Sequence, residues 1–364
     1  MIGFERLNYN KSITEELNFY FCNMKTRFLL LLGALTLMLA SCSTDVDLYA
    51  DPEEIPVIYG LLNCEADTNF IRITRVVHAS DNPLLDAANS SLSEYPGKLD
   101  VRLTEFRNDD SIRQIVLDTI TLHNKQPGIF YAPNQKVYYT TEPLGTNNGK
   151  NKYKYKLTIV FPDRVVTTEA KLVGTSSFGP KSLALNFAKS VIGTRRPYHF
   201  HPALNASVYR VDMSFTYHER RTPLSDTIPH TIRWNVGTFF ESDLGFESED
   251  DFIFYYYPAD FYGALEEYIG GDTAVPGLKR FLSDYPATIT ITAGGGSLRE
   301  YLYYLNMVNQ ANPNDTDFTT IPGAKGVFSS IMTKTQRMRL GDTTVPDLIA
   351  EEKWGFAFMG GQEP

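Results

Sequence analysis

Several stretches of this chain hold residue types that could do chemistry at the spacing they have. In "YHFH", His199 and His201 stand two apart, so an extended segment would point both imidazoles to one side, as a pair of metal ligands requires. No HExxH-like spacing completes a shell, and Arg195 and Arg196 beside them would repel a cation. The run "ESDLGFESEDDF" offers hard oxygens, and Asp243, Glu247, Glu249, Asp250 and Asp251 are weak calcium candidates in it. Their order is not that of an EF-hand loop, so a solvated acidic loop is the expectation, with no metal and no cofactor. "TAGGGSLREY" brings a strand, glycines and a helix start together as a phosphate cradle does, without Walker or dinucleotide spacing. Ser297 followed three residues on by Glu300 reads instead as a capping box. Lys152, Lys154 and Lys156 form a ladder on one face of a strand; solvation and protection of a sheet edge explain it better than anion binding. No GxSxG elbow occurs, and no carboxylate pair is singled out, so no catalytic residue is assigned and an enzyme is not expected.

Aromatic residues are the compositional oddity: 22 Tyr and 23 Phe against 2 Trp. A tyrosine presents an apolar ring and a polar tip, so clusters such as "FIFYYYPADFY" and "REYLYYL" could form a recognition surface. Core packing should take most of these rings. Tyr255, Tyr256 and Tyr257 are consecutive, however, and no single face can bury all three equally; with Tyr262 they are the candidate surface for a ligand or partner.

Near the start, "MKTRFLLLLGALTLMLASC" sets Lys25 and Arg27 before an apolar run that stops at a cysteine. The run from Phe28 to Ala40 is about 13 residues, too short to cross a bilayer core that needs about 20 as a helix. Its layout is that of a bacterial secretory signal. "LASC" resembles the lipoprotein signal, which implies that the thiol of Cys42 is acylated and that the mature chain begins there. The expected organisation is a mis-assigned leader over 1–23, a lipoprotein signal peptide over 24–41 and an acidic tether over 42–54. Asp45 and Asp47, just behind the cysteine, look like a surface-export signal of Bacteroidota lipoproteins.

Charge and cysteine content agree with that address. The chain has 34 Lys+Arg and 43 Asp+Glu. Without residues 1–41, which hold Arg6, Lys11, Lys25 and Arg27 against Glu5, Glu15 and Glu16, the balance is 30 to 40, a net charge of −10. Such a chain is not expected to bind nucleic acid. Of the 3 cysteines, Cys22 is removed and Cys42 acylated, which leaves Cys64 without a disulfide partner.

The elements that must position these residues alternate with a period of two. "KYKYKLTIVFPDRVVTTEAKLV" sets Tyr153, Tyr155, Leu157, Ile159 and Phe161 on one face and turns at Pro162-Asp163. "SVYRVDMSFTYHERR" sets Tyr209, Val211, Met213, Phe215 and Tyr217 on one face, and "TPLSD" turns it into "TIPHTIRWNVG". In "NFIRITRVVH" Ile71 and Ile73 share a face that Arg75 interrupts. "VIGTRRPYHFHPALNA" has no consistent period and is expected to link two halves. Regular strands with turns between them predict a mainly β chain: a β-sandwich over 55–190, then a second β-rich region over 206–364 with two helical insertions near 258–284 and 297–311. In the second helix Leu298, Leu302 and Leu305, continued by Val308 or Asn309, form one stripe flanked by Tyr301 and Tyr304.

The segments "IPVIYGLLNCEADTNFIRITRV", "PGKLDVRLTEF", "GIFYAPNQKVYY", "YKYKLTIVFPDRVVTTEAKLVG" and "GAKGVFSS" together resemble a family of uncharacterised Bacteroidota outer-membrane lipoproteins. The resemblance implies an immunoglobulin-like first sandwich on a lipid-anchored, cell-surface protein often found beside TonB-dependent transporters; it carries over no functional residue. The expected function is a binding or accessory lipoprotein that partners an outer-membrane barrel and is held to the membrane by its N-terminal lipid. A structural or assembly subunit of an envelope complex is the alternative, and an extracellular hydrolase a distant third.

Overall fold

A computed structural model of the chain describes residues 54–76, 90–124, 126, 134–174, 178–221, 226–248, 251–270, 277–311 and 319–357. The expected leader, signal peptide and Cys42, and all of the tether but Glu54, lie outside the described residues. The chain is mainly β, as its alternation predicts: a two-sheet sandwich is followed by a second β-rich region that, among the described residues, carries two helical insertions and a third helix after its last strand.

The first sandwich sets β1 (Ile55–Leu62), β2 (Asn69–Val76), β5 (Asp118–Leu122) and β6 (Gln135–Thr140) against β3 (Asp100–Arg107), β4 (Asp110–Val116), β7 (Tyr153–Val160) and β8 (Val165–Lys171). A short helix, α1 (Ser90–Ser93), lies between β2 and β3 in the chain. In one sheet the order is β1-β2-β6-β5, in the other β4-β3-β7-β8. Ile58, Leu62, Ile71, Ile73 and Tyr138 from the first sheet meet Val101, Leu103, Tyr155, Leu157 and Ile159 from the second in one buried cluster. Between β4 and β5 the chain passes from one sheet to the other at Leu117, which is buried and donates its amide to the Val101 carbonyl at 2.9 Å. Arg75, which interrupts the apolar face of β2, pairs with Glu54 at 2.8 Å and stacks on Tyr95. Its charge is thus neutralised where the strand leaves the core.

The second region begins with β9 (Gly179–Pro180), β10 (Ala184–Leu185) and β11 (Arg196–His201), followed by the long hairpin of β12 (Ala206–Arg220) and β13 (Ile228–Phe240). Next come β14 (Gly245–Ser248), β15 (Asp251–Tyr256), α2 (Pro258–Ile269), β16 (Lys279–Phe281), β17 (Ala287–Gly295), α3 (Gly296–Ala311), β18 (Lys325–Leu340) and α4 (Thr344–Ala350). Tyr209, Val211, Met213, Phe215 and Tyr217 of β12 are all buried, as their alternation predicts. They join Phe200 of β11, Phe254 of β15 and Phe261 of α2 in a second core.

Three expectations are corrected here. The aperiodic "RRPYHFH" is not a linker but contains β11, the middle of the sheet β14-β15-β11-β9; its Tyr198 and Phe200 alternate inward and its two histidines outward. The helix expected over 258–284 stops at Ile269, where Gly270 caps it, and the chain resumes as β16, which pairs with the far end of β12. The change of core falls between Leu172 and Val173, so β9 and β10 follow the second core rather than the first.

One strand joins the two regions. β18 pairs in parallel with β1 from Lys325 to Ser330, then antiparallel with β17 from Ile331 to Met338, and ends beside β10. The sheet β13-β12-β17-β18 therefore continues into β1-β2-β6-β5 without a break in hydrogen bonding. No described helix is long and apolar enough to cross a membrane.

Candidate functional site

A concavity of about 910 Å³ lies where the hairpin end of the first sandwich faces the start of α3. Six separate stretches of chain line it. The β3–β4 turn contributes Asn108 and Asp109, both left-handed at φ 51° and 72°, a pair of conformations that asparagine and aspartate tolerate in a tight hairpin. The Asn108 side-chain oxygen accepts the Lys152 amide at 2.9 Å, and the Asn108 amide donates to the Lys152 carbonyl at 2.9 Å. This pair of bonds fixes the turn against the entry to β7. Tyr153, Lys154, Glu169 and Lys171 of the β7–β8 hairpin form the wall. Asn147 and Asn205 form the base: both side-chain amides donate to the Leu172 carbonyl, at 3.0 and 2.9 Å. Asn205 is again left-handed, at φ 61°.

The remaining side is the start of α3, where Gly296, Ser297 and Glu300 line the cleft with Ser329 of the underlying β18. The helix begins at Gly296, so Ser297 is in its first turn rather than capping it, and the Leu298 amide donates to Ser329 Oγ at 3.3 Å. The glycines before it serve close packing. A Cβ on Gly294 would fall 2.7 Å from Leu298 and 2.9 Å from Val208, and one on Gly295 3.0 Å from Ser329 Oγ. The glycine run thus brings the strand up against its own helix and against β12, and it is not a phosphate cradle.

The cleft is electrically balanced. Asp109, Glu169 and Glu300 stand against Lys152, Lys154 and Lys171. Lys154 bridges two of the acids, at 3.1 Å from Asp109 and 3.8 Å from Glu169, with its ammonium 5.2 Å from the centre of the Phe106 ring. The hydrogen bond to Asp109 holds the Lys154 ammonium above its ordinary range. Amides, hydroxyls and paired charges around the Tyr153 ring can exchange hydrogen bonds with a neutral, hydroxyl- or amide-rich molecule while offering an apolar surface to stack on.

The residues singled out by sequence lie elsewhere. Of the four tyrosines, Tyr255 and Tyr257 are exposed, and Arg195 stacks over Tyr255 at 4.2 Å. Tyr256 and Tyr262 are not surface: Tyr256 is buried and its hydroxyl accepts the Asn186 amide at 3.0 Å, while Tyr262 is buried with its ring stacked on Trp354 at 5.8 Å. Strand alternation turns Tyr256 inward, and Tyr262 falls on the core side of α2 beside Phe261. The acidic run likewise does not act as one site. Asp251 is buried, and its carboxylate is engaged by the Lys181 ammonium at 3.0 Å and by His199 Nδ1 at 3.3 Å, so its oxygens are already taken where a calcium ligand would need them open. Asp243 accepts the Phe240 amide at 3.3 Å in a short turn. The Glu247 side chain, Glu249 and Asp250 lie outside the described residues. Among the described residues no group of three His, Cys, Asp or Glu is placed to hold a metal.

The cleft residues escaped sequence reading because they come from six separate segments. Only Ser297 and Glu300 had a local signal, and it pointed to helix capping. Lys154 was visible as part of a ladder on a solvated strand face, which its two ion pairs now make specific.

No family model matches the chain, and neither does any curated protein. Among solved structures, a chimeric titin Z1Z2 functionalised with an exogenous KLER peptide from decorin matches over 79% of this chain and 97% of its own, at 9% identity and a TM-score of 0.15. That score is too low to assign a common fold or function.

Proposed function

We propose that this chain is a lipid-anchored accessory protein of the bacterial outer membrane that captures a neutral, hydroxyl-rich ligand, such as an oligosaccharide, in the cleft at the start of α3. The observation that carries the reading is the cleft itself: about 910 Å³, charge-balanced, and lined by amides and hydroxyls that the fold holds in place. A cleft for a strongly anionic or cationic ligand would carry an excess of the opposite charge. The lipid at Cys42 supplies the address, and the resemblance to envelope lipoproteins supports an outer-membrane barrel as the protein that receives the ligand.

The test has two arms. Metabolic labelling with a radioactive fatty acid should mark the wild-type chain and not Cys42→Ser, and unlabelled wild type would end the anchor reading. Calorimetry of the membrane-extracted protein against neutral oligosaccharides, matched acidic ones and peptides should show heat with the neutral set. Glu300→Ala and Asn205→Gly should weaken it several-fold, since each removes a hydrogen-bonding group worth about 1 kcal/mol. Binding of acidic ligands alone, or binding indifferent to both variants, would reject the cleft as the site.

A further inference from the structure

Parallel neighbours in a sheet need a crossover between them, and here the crossover is nearly the whole fold. Among the described strands β1 comes first in the chain and β18 last, and the two lie parallel. Six residues of each are register partners, from Val57 with Lys325 to Leu62 with Ser330. The strands start at the same end of this ladder but stop at different places. Beyond Ser330, where β1 has ended, β18 runs on through Ile331–Leu340, about 33 Å of strand, and eight register partners in β17 hold it there. The chain that precedes Ile55 therefore leaves the ladder at one end, and the second region grips β18 from the other.

This stagger decides how a pull is shared. Tension between the start of β1 and the far end of β18 lies along the strands and slides one past the other. The evenly spaced hydrogen bonds of a parallel ladder then carry the load together, and none can break without straining its neighbours. A pull on the starts of both strands would instead open the ladder one bond at a time. β1 is gripped on its other side as well, by six register partners in the antiparallel β2. Its Ile58 and Leu62 are fully buried in the first core, as is Phe328 of β18. A slip of one residue would turn this buried set to the wrong face. Just ahead of the strand Glu54 pairs with Arg75 at 2.8 Å, so a load from the N-terminal side meets an ion pair before it meets the ladder.

We propose that β1 and β18 form a shear clamp: tension that arrives along the N-terminal segment passes across their ladder into the second region and leaves the first sandwich folded. The inference rests on the lipid-anchor reading for the source of that tension, since an acyl group at Cys42 would hold the chain from the end of β1 that loads the ladder in shear. The clamp itself is a property of the fold.

Optical tweezers on the full chain test it by comparing two pulling geometries. DNA handles are attached through p-azidophenylalanine in place of Asp51 and of either Asp342, just past the end of β18, or Pro322, just before its start. Asp342 and Pro322 are both exposed, so neither replacement enters the core. The two geometries differ only in which end of β18 is held, and a difference in force therefore belongs to the ladder. The pull from Asp51 to Asp342 should need a rupture force about twofold or more above the pull from Asp51 to Pro322 at the same loading rate, because forced unfolding reads the barrier along the pull. Equal forces in the two geometries, or a lower force from Asp51 to Asp342, overturn the proposal. The force measurement needs no lipid: a chain that takes up no fatty acid can still show the clamp, and a labelled chain can lack it, so the two readings fail separately.

Discussion

Gly326 lies against Ile58 so closely that a Cβ on it would fall 2.0 Å from the Ile58 carbonyl oxygen. The two residues are register partners where β18 joins β1 in parallel, and Gly326 holds φ at +107°, a conformation that side chains rarely adopt. Both constraints act at the seam through which the two regions share a sheet. Gly326→Ala should therefore destabilise the chain by about 3 kcal/mol or more, from the positive φ and the backbone clash together. Denaturant unfolding would show it as a lower midpoint, and an unchanged midpoint would mean that the seam gives way at little cost.

A second tie crosses the same boundary. Ser330 is fully buried; its Oγ accepts the Val173 amide at 2.9 Å and donates to the Lys171 carbonyl at 2.7 Å. Ser330→Ala leaves that amide unpaired in the interior and should cost about 1–3 kcal/mol. Amide exchange at Val173 should quicken more than at Ile159, deep in the first core, and equal effects at both positions would refute a local role.

In the second core, Arg280 and Glu219 form a pair buried at both ends, 3.2 Å apart, and Arg280 also donates to the Trp354 carbonyl at 2.7 Å. The pair ties β16 to β12 and both to the C-terminal turn. Glu219→Ala leaves the buried guanidinium without its counter-charge and should cost about 3–5 kcal/mol, whereas replacing both residues by apolar ones of similar size should cost less. A double-mutant cycle on thermal stability reads the difference; purely additive losses would show that the pair is not coupled.

Acid should loosen the sheet β14-β15-β11-β9 at Asp251. Burial pushes its carboxyl up, but the hydrogen bonds from Lys181 and His199 outweigh that and hold it below the usual carboxylate range. A carboxyl lowered by folding stabilises the protein above its unfolded value, and that contribution is lost as the pH falls through the folded value. Asp251→Asn should thus lower the melting temperature at pH 7 and shrink the further drop below about pH 4, where carboxylates protonate. Parallel melting curves for wild type and variant from pH 7 to pH 3 would contradict this.

Much of the architecture was legible along the chain. The β7–β8 hairpin could be read from five alternating apolar residues and Pro162-Asp163, and the turn is closed by the Phe161 amide on the Arg164 carbonyl at 2.8 Å. β12 was legible for the same reason, since every second side chain enters the core. β11 was not, because its six residues include two arginine or proline positions and two histidines, and only Tyr198 and Phe200 turn inward. Tyr256 and Tyr262 looked like surface among their neighbours and are core, because burial depends on what lies across the sheet or under the helix.

By itself the sequence determined the strands that alternate cleanly, such as β7, β8 and β12, with their inward faces, and the apolar run that ends at Cys42, since alternation and run length are local properties of a chain. Only the tertiary structure decided that β18 pairs with β1 some 270 residues upstream in sequence, as Val57 with Lys325. It alone brought Asn108, Asn147, Asn205 and Glu300 around one cleft. Such contacts are selected by the burial and hydrogen bonding of the whole assembly, and no period within a single segment encodes them.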